Sequence, residues 1–428
     1  MTGDDDVCRT ANQRPSDESE QQVSVQTARS RLLEMISPLT RVETRSLRGC
    51  RGRVVADSIR AKRTIPNHNR AAIDGWAVQS ADMSDATDQQ QHQLSIVGAH
   101  TDVDANPPSK APIEEGTAVR VESQATLPSE ADAVVHSKDV IINDGLLEIS
   151  RTYERGENVI TVGDDIESGS VIFESGHQLQ SSDLGVLKSA AIDEVTLYQR
   201  PTVGIIPAGE QLVQTDPGPD ERIETNTLTI SGLLQQWDAI PTHRNVVRDD
   251  QPVLRAAIQR DLTKDVIVTV GDSVMTGANA LSRVVRELGQ ILVRRVALNP
   301  GYQIALGVIE ETPIVMLPSN PLDAIANSIV FLSPLVAHVG RFDQFDPPTT
   351  TGQLSQEISS SEGVRKLIQV QLTHPSHADS HPVVEPIDVT KMGVRSSVAL
   401  TDGWIILPEE IERVSRGTEI DVYHWGVT

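Results

Sequence analysis

Only two cysteines, Cys8 and Cys50, occur in 428 residues. Isolated in the chain, they support neither a disulfide framework nor a thiolate metal site, and a reducing compartment follows. Aromatic residues make up only 3% of the chain, and only seven of its 37 basic residues are lysines, arginine supplying the other thirty. Set against 60 acidic residues and a net charge of −23, this poverty of Lys and aromatics argues against nucleic acid and anionic membranes as partners. It fits a halophilic cytoplasm, where concentrated salt screens like-charge repulsion within a few ångströms. No run of eighteen apolar residues occurs, and the opening Met-Thr-Gly-Asp-Asp-Asp lacks the basic flank and apolar run of a signal peptide. The expectation is a cytoplasmic protein, long enough for two to four domains.

What is present centres on Asp265-Val-Ile-Val-Thr-Val-Gly-Asp-Ser-Val-Met-Thr-Gly277. Its β-branched run suits a strand buried on both faces of a parallel sheet, and helical spacing follows over Ala280 to Leu288. Strand, glycine-flanked loop and helix aim backbone N–H groups at an anion, which makes Gly271, Ser273 and Gly277 candidate binding residues. An ordinary βα connection is the alternative.

Taken in order, residues 1–24 carry six acids and no apolar period, so a disordered acidic leader is expected. Residues 25–62 and 151–200 read as one discontinuous N-terminal segment, with a helix ending near Pro38 and another over Ser181 to Ala190. Between them, 63–150 reads as a small β domain, with strands at Ala118 to Val121, Ala133 to His136 and Leu146 to Ile149. Residues 201–342 alternate strands, one of them at His243 to Val247, with helices, which implies right-handed βαβ units and a largely parallel, doubly wound sheet. Short strands, including Val398 to Leu400, make 343–428 a C-terminal β domain. The fold class expected is α/β plus β, with a central α/β domain between a split β-rich front and a β tail.

Four motifs narrow this further: Asp74-Gly-Trp-Ala77, Gly163-Asp-Asp-Ile166, Glu224-Thr-Asn226 and Leu317-Pro-Ser-Asn-Pro321. They resemble, in order, the Asp-Gly-Tyr-Ala, Gly-Glu-Asp-Ile, Asp-Thr-Asn and Leu-Pro-Gly-Asn-Pro signatures of the molybdopterin molybdotransferases, the MoeA/gephyrin family. The likeness runs over roughly residues 28 to 425, and with the acidic composition it suggests a divergent, haloarchaeal-type member. It implies a molybdopterin-binding-like α/β domain, a homodimer, and the insertion of molybdate into adenylylated molybdopterin with Mg²⁺. On that resemblance Asp74, Asp165 and Glu210 are the catalytic candidates, with Asp74 and Glu210 as metal ligands, and Ser123, Ser319 and Asn320 join the loop residues on the pterin-phosphate. Each has a structural alternative: Asp74 in an Asx turn, Asp165 as a solvated acid, and Asn320 as a helix cap.

The sequence also departs from the family. Asn299-Pro-Gly-Tyr-Gln303 stands for Lys-Pro-Gly-Lys-Pro, so two cations are gone, and Asp272 adds an anion to the glycine loop. Ala208-Gly-Glu-Gln211 keeps one carboxylate of two, and Glu122-Ser-Gln-Ala125 keeps only a hydroxyl of Met-Thr-Gly-Ala. Two readings follow: a transferase with a drifted site, or a catalytically degenerate paralogue that binds the pterin or an intact partner as carrier or regulator.

Overall fold

The structure, a computed structural model, describes residues 22–83, 92–100, 112–271, 279–374, 381–388 and 394–424. Its contacts divide the chain into two units, with borders after residues 42 and 197.

The chain opens on α1 (Val25–Leu33), whose Val25, Ala28 and Leu32 recur at helical spacing and are buried. Ser24 caps it, accepting the Thr27 N–H at 3.1 Å, while Gln22 donates to the Val296 carbonyl and Val23 bridges Val296. Residues 22–24, expected in the leader, are instead held by a hydroxyl cap and a main-chain bridge, and the rest of that expected leader lies outside the described residues. The expected grouping of 25–62 also divides, since α1 buries its apolar stripe in the core of the α/β unit.

β1 (Val42–Ser46) leads into the β-rich unit. There β2 (Gly75–Val78), β3 (His92–His100), β4 (Thr117–Val121), β5 (Ala133–His136), β6 (Val140–Asn143) and β7 (Leu146–Ile149) form one sheet, in the order β5-β2-β4-β3-β7-β6. Trp76 and Val78 face one core and Ala77 the other, so both faces of β2 are covered. β3 is absent from the sequence expectation: its residues lie in a stretch rich in Gln and Asp, where pairing with β4 and β7 outweighs composition. Residues 47–61 and 166–197, including α2 (Ser181–Ser189), share a separate small core around Val55, Leu179 and Leu187. β8 (Glu194–Tyr198) pairs with β1.

The α/β unit follows with β9 (Thr202–Ala208), α3 (Asn226–Gln236), β10 (Ile240–His243), α4 (Gln251–Asp261), β11 (Val266–Gly271), α5 (Ala280–Leu288), β12 (Gln290–Arg294), β13 (Ala305–Ile309) and β14 (Thr312–Leu317). Sheet order is β10-β9-β11-β14-β13-β12; the first four strands are parallel and the last two antiparallel. Along β11, Val266, Val268 and Val270 enter one core with α1 and α3, while Ile267 enters another with α4 and α5. Helices on both faces explain why every residue of β11 is buried, as its unbroken β-branched run requires. β10 lies three residues before the expected strand; it is the sheet edge, where Pro241 forfeits no ladder bond the sheet needs.

From β14 the chain enters α6 (Pro321–Asn327), a π turn (Ser328–Leu332) and α7 (Ser333–Gly340). This helical run has a mean hydropathy of 1.5 and could span a bilayer by length, but it is 83% buried and serves as a core helix. In the same unit, β15 (Thr349–Leu354), β16 (Arg365–Thr373), β17 (Val383–Pro386), β18 (Gly403–Leu407) and β19 (Glu419–Tyr423) close into a barrel, since β16 pairs with both β17 and β18. The strand expected at Val398–Leu400 is instead the end of α8 (Val394–Ala399), where Ser397 Oγ donates to the Val394 carbonyl at 2.7 Å. Three apolar residues are too few for periodicity to separate the two forms.

Candidate active site

From β9 the chain crosses by α3 to β10 on one side, and from β10 by α4 to β11 on the other. Strand order therefore reverses between β9 and β11, and the crevice beyond their carboxyl ends is where an open α/β sheet takes its ligand. Four sequence-selected residues converge there. Glu210 follows β9, Gly271 ends β11, and Ser319 and Asn320 follow β14, which pairs in parallel with β11. A pocket at this edge is lined by Leu212, Arg222, Glu224, Asn226, Val270 and Ser319.

Much of its polarity is committed to the fold. Glu224 takes the Thr227 N–H at 3.0 Å and also the Thr227 hydroxyl, placing a carboxylate at the positive end of α3. Asn226, 8% exposed, donates through Nδ2 to the Ser319 carbonyl at 2.8 Å, locking the start of α3 to the loop after β14. The Asn320 side chain accepts the Leu322 N–H at 2.9 Å and caps α6, with Pro321 at the first helical position. A Cβ on Gly271 would stand 2.0 Å from the Ala208 carbonyl oxygen, so this glycine is required for β11 to lie against β9. Glu210, by contrast, is exposed and forms no hydrogen bond or ion pair among the described residues. Ser273 and Gly277, with Asp272, lie outside the described residues.

The same edge includes residues 295–304. β12 and β13 pair with Arg294 opposite Ala305, and Ala305 pairs with Met316 of β14, so the connection between them emerges level with Leu317. Asn299 is exposed there and Tyr302 is 48% exposed. Sequence reasoning missed two further groups. Arg222, which lines the pocket, is signalled only by its place just ahead of the Glu224-Thr-Asn226 motif. Asp323, in the first turn of α6, has its carboxyl pushed up by burial, which no local pattern foretells.

In the β-rich unit the structure brings Asp74 and Ser123 together. Asp74, exposed, accepts the Ser123 N–H at 2.7 Å, while Ser123 Oγ donates to the Ala72 carbonyl at 3.2 Å. Gly75 belongs to the same motif for a steric reason, since a Cβ would lie 2.0 Å from the Val135 carbonyl oxygen. In Gly163-Asp-Asp-Ile166, the Asp164 carboxylate takes both the hydroxyl and the N–H of Thr161, each at 2.6 Å. These bonds hold it below its ordinary range. Asp165 is exposed, and only its main chain is engaged, donating to the Ile65 carbonyl.

Among the described residues no three His, Cys, Asp or Glu side chains gather to hold a metal. Glu210 stands exposed at the sheet edge of one unit, and Asp74 is exposed in the other. A single such carboxylate suits Mg²⁺, which keeps most of its waters and is bound through one or two carboxylates plus substrate phosphates.

The α/β unit is thus of the ligand-binding, doubly wound class, joined in one chain to a closed β-barrel and a separate β-rich unit. Three family descriptions match consecutive stretches: the MoeA N-terminal region (domain I and II) over 23–191, a probable molybdopterin binding domain over 204–338, and the MoeA C-terminal region (domain IV) over 351–425. The chain belongs to the MoeA family. A molybdopterin molybdenumtransferase of Haemophilus influenzae is 28% identical over 399 residues, covering 92% of this chain and 96% of the relative. A putative molybdopterin biosynthesis protein of Methanocaldococcus jannaschii is 27% identical over 382 residues, covering 87% and 89%. The crystal structure of a Pyrococcus horikoshii molybdopterin biosynthesis MoeA protein shares the fold, with a TM-score of 0.76 at 24% identity, over 95% of this chain and all of that one.

Proposed function

We propose that this chain is a transferase of molybdenum cofactor biosynthesis, inserting molybdate into adenylylated molybdopterin at the carboxyl edge of β9, β11 and β14. The observation that carries the reading is the strand-order reversal at that edge, which opens on a pocket lined by Arg222 and Ser319. Family membership over nearly the whole chain supports the transferase reading over a degenerate carrier or regulator. Asn226 and Asn320 set the main chain on which the pterin-phosphate rests, and Arg222 supplies positive charge. Glu210 is the Mg²⁺ ligand at this edge in this proposal, and the metal would neutralise phosphate charge as the adenylate is cleaved. Asn299 and Tyr302 occupy the positions from which two family lysines would face the oxyanion, so turnover is slow. Incubating the purified protein with adenylylated molybdopterin, molybdate and Mg²⁺ should yield molybdenum-loaded cofactor; none, under conditions where a lysine-bearing relative succeeds, would refute the assignment.

The protein acts as a cytoplasmic homodimer, without nucleic acid or membrane, in a salt-rich cell. The net charge of −23 and scarce lysine support the setting. Removing salt lengthens the screening distance from about 3 Å at 1 M to about 30 Å at 0.01 M, so the melting temperature should drop in dilute buffer. Light scattering in high salt should give twice the chain mass; one chain's mass at micromolar concentration would overturn the dimer.

A further inference from the structure

Asn327, the last residue of α6, is completely buried, and neither its Nδ2 nor its Oδ1 has a hydrogen-bond partner among the described residues. A buried primary amide with neither polar atom satisfied is costly, by more than one ordinary hydrogen bond, and calls for an explanation. Its surroundings supply one. Asn327 is packed against Gly301, where a Cβ would lie 2.9 Å from Nδ2 and 3.2 Å from Cγ. Gly301 is buried, has φ of +110°, and sits between the exposed Asn299 and Tyr302 in the connection that emerges at the carboxyl edge. Asp323 lies four residues before Asn327, on the same face of α6. Immediately after Asn327 the helix widens into the π turn Ser328–Leu332, as the Ser328 hydroxyl bonds back to the Ala324 carbonyl at 2.7 Å. Such turns recur where a helix presents a side chain for function.

We propose that Asn327 is a positioning residue for the oxyanion. Its buried amide grips the 299–303 main chain through one enclosed water, and so sets where Asn299 and Tyr302 stand when molybdate binds. The grip rests on contacts at Gly301; its consequence for molybdate rests on the functional reading above.

The test pairs a binding measurement with one that needs no ligand. Asn327→Leu keeps the volume and removes both unsatisfied groups, so a residue with no positioning role would leave the fold equally or more stable and the loop unchanged. The positioning role predicts amide hydrogen exchange over 298–304 about five- to tenfold faster, with that of β13 and β14 unaltered. Molybdate affinity, measured by calorimetry with molybdate alone, should weaken by a similar factor. Asn327→Asp, which retains the acceptor, should give a smaller change. Gly301→Ala presses on the same contact from the other side, so its effect on loop exchange should not add to that of Asn327→Leu. If Asn327→Leu does not fold, the Gly301→Ala and Asn327→Asp pair gives the same reading. Unaltered exchange over 298–304 in the folded variants would overturn the proposal. Faster exchange with unchanged molybdate affinity would uphold the grip and refute instead the placement of the oxyanion at this loop.

Discussion

The carboxyl edge of the sheet has two sides that treat their polar groups in opposite ways. Around α3 and α6, Glu224, Asn226 and Asn320 each spend their side chains on main-chain groups, capping helices or tying a helix start to a loop. On the other side, Glu210, Asn299 and Tyr302 are exposed. The motif residues Glu224, Asn226 and Asn320 build the first side, and Asn299 and Tyr302, which depart from the family pattern, are exposed on the second.

Breaking the first side should cost the fold, and the largest effect is expected at Gly271. Valine there would drive a Cβ to 2.0 Å from the Ala208 carbonyl oxygen, between two central strands. A loss of about 3 kcal/mol or more is expected, the upper end of overpacking penalties, and denaturant unfolding should show it. A smaller loss, about 1 kcal/mol, should follow Asn320→Ala, the usual cost of a missing helix cap. A loss of molybdenum insertion without that loss of stability would move Asn320 to the ligand-facing side of the comparison.

The smallest effect concerns Asp164, the committed partner of the exposed Asp165. The Thr161 hydroxyl and N–H depress its carboxyl in the folded protein. A depressed carboxyl contributes stability that is fully present above its ordinary value, about 3.9, and is lost as pH falls through the folded value. The stability gap between wild type and Asp164→Asn should therefore be present at neutral pH and close in acid. A gap that persists unchanged into acid would remove the carboxylate from this account.

The same contrast marks what the sequence made legible. The unbroken apolar run of β11 and the strict alternation around it foretold a doubly wound sheet, because helices on both faces impose that pattern. Asn320 was open to both readings, and its side chain bonds the Leu322 N–H at the helix start. What stayed hidden depends on tertiary contact: β3 forms in a polar stretch through its neighbours, and the burial of Asn327 and Asp323 is set by packing that no local pattern carries.

The most direct test of that division of labour restores charge to the exposed side alone. Each charge-assisted hydrogen bond to an anion contributes roughly 1.5–3 kcal/mol, so two lysines should be worth about two to four powers of ten in molybdate binding. Asn299→Lys with Tyr302→Lys should therefore raise molybdate affinity and the rate of molybdenum insertion, at unchanged stability. A wild-type protein that turns over as fast as a lysine-bearing relative assayed alongside it, with the double variant no better, would contradict the account.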